Sequence, residues 1–194
     1  QIGYMNRYNT NIYPSDIEKH YIKSSERSII SSLKIKADNT CRNLINPDYI
    51  HKAFNRFKSG YYYTNEQNEV LGFVLWKEIS IVQENKSILQ KEDKHIKQLH
   101  IILVCADIND FRLGTKILFD VESYCISHKI PIITLEAANE KLIQYYEQNN
   151  FKRVDTLTNR MIKEIKIIDI YRNPANKTRK VKRYDNSHTT LISS

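Results

Sequence analysis

The sequence predicts a mixed α/β fold of the α+β kind: one twisted, mostly antiparallel sheet flanked by helices. Three observations lead there. The unbroken apolar run Ile101-Ile102-Leu103-Val104 reads as a strand buried on both faces. Two strand-like runs, Gly60 to Thr64 and Val70 to Lys77, flank the polar turn Asn65 to Glu69 and make an antiparallel hairpin. After that hairpin, strand-like and helix-like stretches follow in the order β-α-β-α-β-β, which suits helices packed on a shared sheet.

Each element has its own local signal. Residues 1–14 are polar and tyrosine-rich without a clear period. Ser15 with Glu18 three residues on forms a capping box, predicting a helix from Asp16 to about Leu33 with Ile17, Tyr21 and Ile29 on one face. Asn46-Pro47 puts proline at the first position of a second helix, which runs through Ile50, Ala53, Phe54 and Phe57 to a C-cap at Gly60. The charged, apolar-poor stretch from Gln83 to Lys94 reads as a surface loop. Lys97 to Cys105 is the central strand, followed by a helix from Arg112 to His128 and a strand from Ile130 to Leu135. Asn139 caps a helix reaching about Gln148, and two short strands close the domain, Phe151 to Val154 and Arg160 to Ile168.

Length and composition bound the function classes. A chain of 194 residues with 41% hydrophobic content suits one folded domain, taken as residues 1–170, with a basic tail over residues 171–194. That tail holds Arg172, Lys177, Arg179, Lys180, Lys182 and Arg183 against Asp185 alone, so most of the +8 formal charge lies there. A solvated end explains it. Nucleic-acid binding by the tail ranks last, because neither an aromatic RNA-binding pattern nor a basic recognition helix is present. No apolar run approaches the ~18 residues of a membrane span, and no leader opens the chain. Cys41, Cys105 and Cys125 share no spacing for zinc or a redox pair, so no metal is assigned. Three separate buried or half-buried thiols in a reducing, cytoplasmic compartment are expected.

The richest stretch runs from Leu103 to Thr115. An apolar strand stops, a turn intervenes, and an amphipathic helix starts about the lone Gly114. Main-chain N–H groups at such a helix start, reinforced by the macrodipole, seat a phosphate.

This arrangement resembles the GNAT family of acetyl-CoA-dependent N-acetyltransferases over about residues 60–166, best from Leu99 to Val154. The family's pyrophosphate loop, Gln/Arg-x-x-Gly-x-Gly/Ala, has its counterpart in Asn109-Asp110-Phe111-Arg112-Leu113-Gly114. Gly114 matches the last position, while Asn109 and Arg112 depart from the first and fourth. A second motif, an Asn, a short helix with a tyrosine, then Gly-Phe, is matched by Asn139, Tyr146, Asn150 and Phe151, with Asn150 in place of glycine. Asn also tolerates a left-handed cap.

The resemblance implies acetyl-CoA as cosubstrate and direct acetyl transfer to a primary amine, whether of a small molecule, an amino sugar or a protein. It assigns the pantetheine arm to main-chain groups near Leu103, Val104 and Cys105, with an N–H near Val104 facing the acetyl oxygen. It assigns the pyrophosphate to Asn109, Phe111, Arg112, Leu113, Gly114 and Thr115, and adds Asn139 to the cofactor site. Tyr146 would protonate the departing thiolate. His100 and Glu136 are alternative bases for the amine. Neighbours on a helix point about 100° apart, so only one of Tyr145 and Tyr146 is expected to face the cofactor, and the family spacing selects Tyr146. The competing reading is a GNAT-fold module without catalysis that binds CoA or a protein partner.

Overall fold

A computed structural model describes residues 17–41, 43, 45–83, 94–106 and 111–167. The described elements are β1 (Glu18–Lys23), α1 (Arg27–Thr40), α2 (Pro47–Arg56), β2 (Ser59–Thr64), β3 (Val70–Gln83), β4 (Lys94–Ala106), α3 (Phe111–Ser127), β5 (Ile132–Glu136), α4 (Glu140–Gln148), β6 (Lys152–Arg153) and β7 (Arg160–Glu164). Among the described residues they form a seven-stranded sheet in the order β1-β2-β3-β4-β5-β7-β6. All pairings are antiparallel except β4 with β5. The expected mixed, mostly antiparallel sheet is therefore present. The surface loop between Gln83 and Lys94, the first 14 residues and the tail over residues 171–194 fall outside the described residues.

Two cores sandwich the sheet. On one face Leu33, Ala37, Ile50, Ala53, Phe54 and Phe57 of the α1–α2 region cover Phe73, Leu75 and Leu103. On the other, Leu113, Ile117 and Val121 of α3 and Ile143 of α4 cover Val74, Trp76, Leu99 and Ile101. Burial of side chains of this size, about 1.5–3 kcal/mol each, is what holds the helices on the sheet. Buried Asp120 on α3 adds a polar tie: it accepts from Lys19 on β1 and Lys116 at 3.1 Å, and from the Tyr63 hydroxyl on β2 at 2.9 Å.

Three expectations need correction here. The helix from Asp16 to Leu33 is instead a strand followed by a later helix. Glu18–Lys23 pairs with β2, where buried Ile22 and half-buried His20 alternate with exposed residues and His20 stacks on Tyr62. Period-2 burial against a neighbouring strand overrode the local capping signal, and the helix begins at Arg27. Gly60 is no C-cap: α2 ends at Arg56 and Gly60 lies in β2, where a Cβ would come 2.4 Å from the Val74 carbonyl oxygen. The Asn46 cap does form, its side chain accepting from the Asp48 N–H at 2.8 Å.

The third correction concerns the cysteines. Cys41 at the end of α1 and Cys105 on β4 are joined in a disulfide across 64 residues of sequence, leaving buried Cys125 as the free thiol. Sequence spacing carried no trace of it, because the two residues meet only when α1 packs on the sheet. The pairing removes the basis for reading the cysteines as a mark of a reducing compartment. Among the described residues, no helix is long and apolar enough to cross a membrane.

Candidate functional site

β4 and β5 run side by side for only three rungs, Gln98–Ile132, Leu99–Ile133 and His100–Thr134. Beyond them β4 continues to Ala106 while β5 turns with β7, its partner through Glu136 and Arg160. β4 carries a bulge at this point. Leu75 and Trp76 of β3 face Leu103 and Ile101, so Ile102 is the extra residue of β4. The bulge also reverses the side-chain phase: Leu99 and Ile101 point to the α3 face, whereas after it Val104 and Ala106 do so and Leu103 and Cys105 point to the α1–α2 face.

The opening is a cleft of about 920 Å³. The parted strands form its walls through Ile101 to Val104 and Leu135 to Ala137, α3 contributes Gly114, and α4 contributes Leu142, Tyr145 and Tyr146. The α1–α2 region closes the remaining side through Ile45, Asn46 and Tyr49. Half-buried Tyr49 donates its hydroxyl hydrogen to the Ile102 carbonyl at 2.9 Å, so the bulge is held by α2. Burial, followed by the charge of Glu136, raises the Tyr49 phenol above its ordinary value.

α4 is fixed at both ends. The Asn139 side chain accepts from the Leu142 N–H at 3.0 Å, and Asn150 follows the helix in the left-handed conformation with φ 65°. The Asn149 carbonyl accepts from Lys163 on β7 at 2.9 Å, and Lys163 also pairs with Glu122 on α3. Tyr146, thus anchored, is buried against Phe151 with ring centroids 5.6 Å apart. Burial, then Tyr145 and Tyr49, pushes its phenol upward.

The six residues Leu103, Val104, Gly114, Glu136, Asn139 and Tyr146 line this one cleft. Glu136 is exposed at its wall. Other candidates stand elsewhere. His100, at the last shared rung, is not among the lining residues; its ring meets the Thr134 hydroxyl at 3.0 Å, and burial, Lys77 and Arg160 lower its pKa. Cys105 is buried with its sulfur in the disulfide, and Leu113 packs in the core. Arg112 is exposed, and neither it nor half-buried Thr115 lines the cleft. Asn109 and the Phe111 side chain fall outside the described residues.

Both Tyr145 and Tyr146 border the cleft. The Tyr145 hydroxyl lies beside Gly114, 2.6 Å from where a Cβ would stand. Tyr49 and its α1–α2 neighbours were missed altogether. Their only sequence signal was an aromatic with a polar tip in the first turn after Asn46-Pro47.

No protein-family profile and no curated protein sequence matches the chain. Solved structures do. NAA60 of Arabidopsis thaliana in complex with acetyl-CoA aligns with a TM-score of 0.54 at 11% identity, over 77% of this chain and 99% of that one. AtaTR bound with acetyl-CoA gives 0.52 at 16% identity, over 78% and 95%. The GNAT family N-acetyltransferase YhbS of Escherichia coli, in complex with CoA, gives 0.52 at 11%, over 78% and 83%. The chain has the fold of the GNAT acetyltransferases.

Proposed function

We propose that this protein is an acetyl-CoA-dependent N-acetyltransferase acting on a primary amine. The observation that carries the reading is the opened β4 edge past His100, facing Gly114 and Tyr146 across one cleft. The residues suit acetyl-CoA. A strand edge without a strand partner among the described residues offers main-chain donors and acceptors to an extended amide arm. Gly114 stands in the first turn of α3 and borders the cleft, and a helix start favours phosphate. Solved structures of similar fold hold acetyl-CoA or CoA.

When bound, acetyl-CoA supplies the thioester whose acetyl group is transferred. The main chain of β4 near Leu103 and Val104 would hold the arm, with the Val104 N–H as the donor assigned to the acetyl oxygen. Around Gly114 the helix start, with Phe111, Arg112, Leu113 and Thr115, would hold the diphosphate, and Asn109 is carried over from the motif alone. Glu136 accepts the proton that the amine gives up and passes it to water. Its place on the cleft wall, against that of His100 outside the lining, supports the carboxylate as the base. Tyr146 keeps its proton, because its phenol is pushed up, and can deliver it to a departing thiolate.

The test is direct. CoA should raise the melting temperature, and thiol release from acetyl-CoA should appear with at least one member of a panel of amines. Tyr146→Phe should lose transfer while keeping the CoA-induced shift. No shift with CoA, or full transfer by Tyr146→Phe, defeats the reading.

A further inference from the structure

The acceptor side of the cleft carries groups that the N–H-donating cofactor wall does not. The Tyr49 hydroxyl has one hydrogen, and it is given to the Ile102 carbonyl at 2.9 Å. What remains on that oxygen is acceptor capacity alone. A carbonyl oxygen has two lone pairs, and the bulge leaves Ile102 without an opposite number on β3. Glu136, across the parted strands, is a carboxylate and accepts only when ionised. Tyr49, Ile102 and Glu136 all line the same cleft. The Glu136 charge is felt at Tyr49, where it adds to burial in raising the phenol.

We propose that Tyr49 and Glu136 form the ammonium subsite of the acceptor, which selects a primary alkylammonium over the matching alcohol. This rests on the acetyltransferase reading and deepens it by assigning the acceptor end. Three acceptors, the Tyr49 oxygen, the Ile102 carbonyl and the Glu136 carboxylate, match the three N–H donors of a primary ammonium. An alcohol brings one donor and no charge, so it leaves two of them unanswered. α2 therefore contributes specificity as well as packing: its first turn places Tyr49 over the bulge. Tyr146 lines the same cleft, so an amine seated here shares it with the proton donor.

The experiment uses the full chain and the best amine found in the panel, with the alcohol of the same skeleton as a competitive probe. Wild type should bind the amine more tightly than the alcohol. Tyr49→Phe should raise the amine KM about tenfold or more, the loss expected for one hydrogen bond to a charged group. It should raise the acetyl-CoA KM by a smaller factor than the amine KM, keep a CoA-induced melting shift, and narrow the amine-to-alcohol gap. Glu136→Gln should narrow that gap too, by a route that does not touch the Ile102 hydrogen bond. An amine KM and an amine-to-alcohol gap unchanged in both variants overturn the subsite while leaving the acetyltransferase intact. A wild type that acetylates no amine yet binds CoA overturns the acetyltransferase reading, and this inference with it.

Discussion

The Tyr145 hydroxyl occupies the space beside Gly114, 2.6 Å from the position a Cβ would take, with the ring carbon that bears it at 3.4 Å. The start of α3 and the flank of α4 therefore meet through a residue that has no side chain. This contact turns a helix-start glycine into a packing requirement between the two helices that border the cleft.

Gly114→Ala should destabilise the protein by about 1–3 kcal/mol through overpacking, although alanine is intrinsically the better helix former by about 1 kcal/mol. In a Tyr145→Phe background the hydroxyl is gone and the ring carbon stands at ordinary contact distance. The same alanine should then be neutral or stabilising. Thermal melts of the four proteins in this cycle measure the reversal. Equal losses in both backgrounds would show that Tyr145 is not the obstacle.

Tyr146 carries a pH prediction. As a proton donor it works only when protonated, and burial holds its pKa above the ordinary ~10 of a tyrosine. Its ionisation should therefore not limit transfer at or below pH 10. The alkaline limb of the CoA-release rate is the measurement, and a tyrosine-dependent fall near pH 9 would contradict the assignment.

His100 gives the opposite dependence, in stability. Its folded pKa is lowered by burial, Lys77 and Arg160, so below about pH 6.5 the unfolded chain takes up a proton that the folded ring resists. Stability contributed here is complete above pH 6.5 and declines as the pH falls toward the depressed folded value. Melting temperatures from pH 7.5 to 5.5 should drop more steeply for wild type than for His100→Asn. Identical slopes would remove His100 from the acid limb.

The Cys41–Cys105 bond closes 64 residues of chain, for which loop entropy gives about 4 kcal/mol. Reduction, or Cys41→Ser with Cys105→Ser, should lower the melting temperature by roughly 10 °C. Alkylation after denaturation without reductant should mark only Cys125. Labelling of all the cysteines would mean the bond does not form in solution.

Much of the frame was legible in the chain. The hairpin, the buried run of β4 and the amphipathic α3 follow from period and composition, and the Asn46 and Asn139 caps form as their local chemistry requires. Gly114 and Tyr146 were found through motif spacing, and they do border one cleft. Glu18 to Lys23 was misread because a local capping signal at Ser15 and Glu18 precedes it, and only the neighbouring β2 settles that it is a strand.

Other features had no local encoding. The Ile102 bulge depends on how β3 aligns with β4, and the cleft depends on β5 parting from β4 after His100. Tyr49 over Ile102, Tyr145 against Gly114 and Cys41 bonded to Cys105 each join residues tens of positions apart. Helix caps, turns and hydrophobic periods act over a few residues and are written in the amino-acid order. Which distant side chains meet is set by the way whole elements pack, and the place of Tyr49 in the cleft came into view only there.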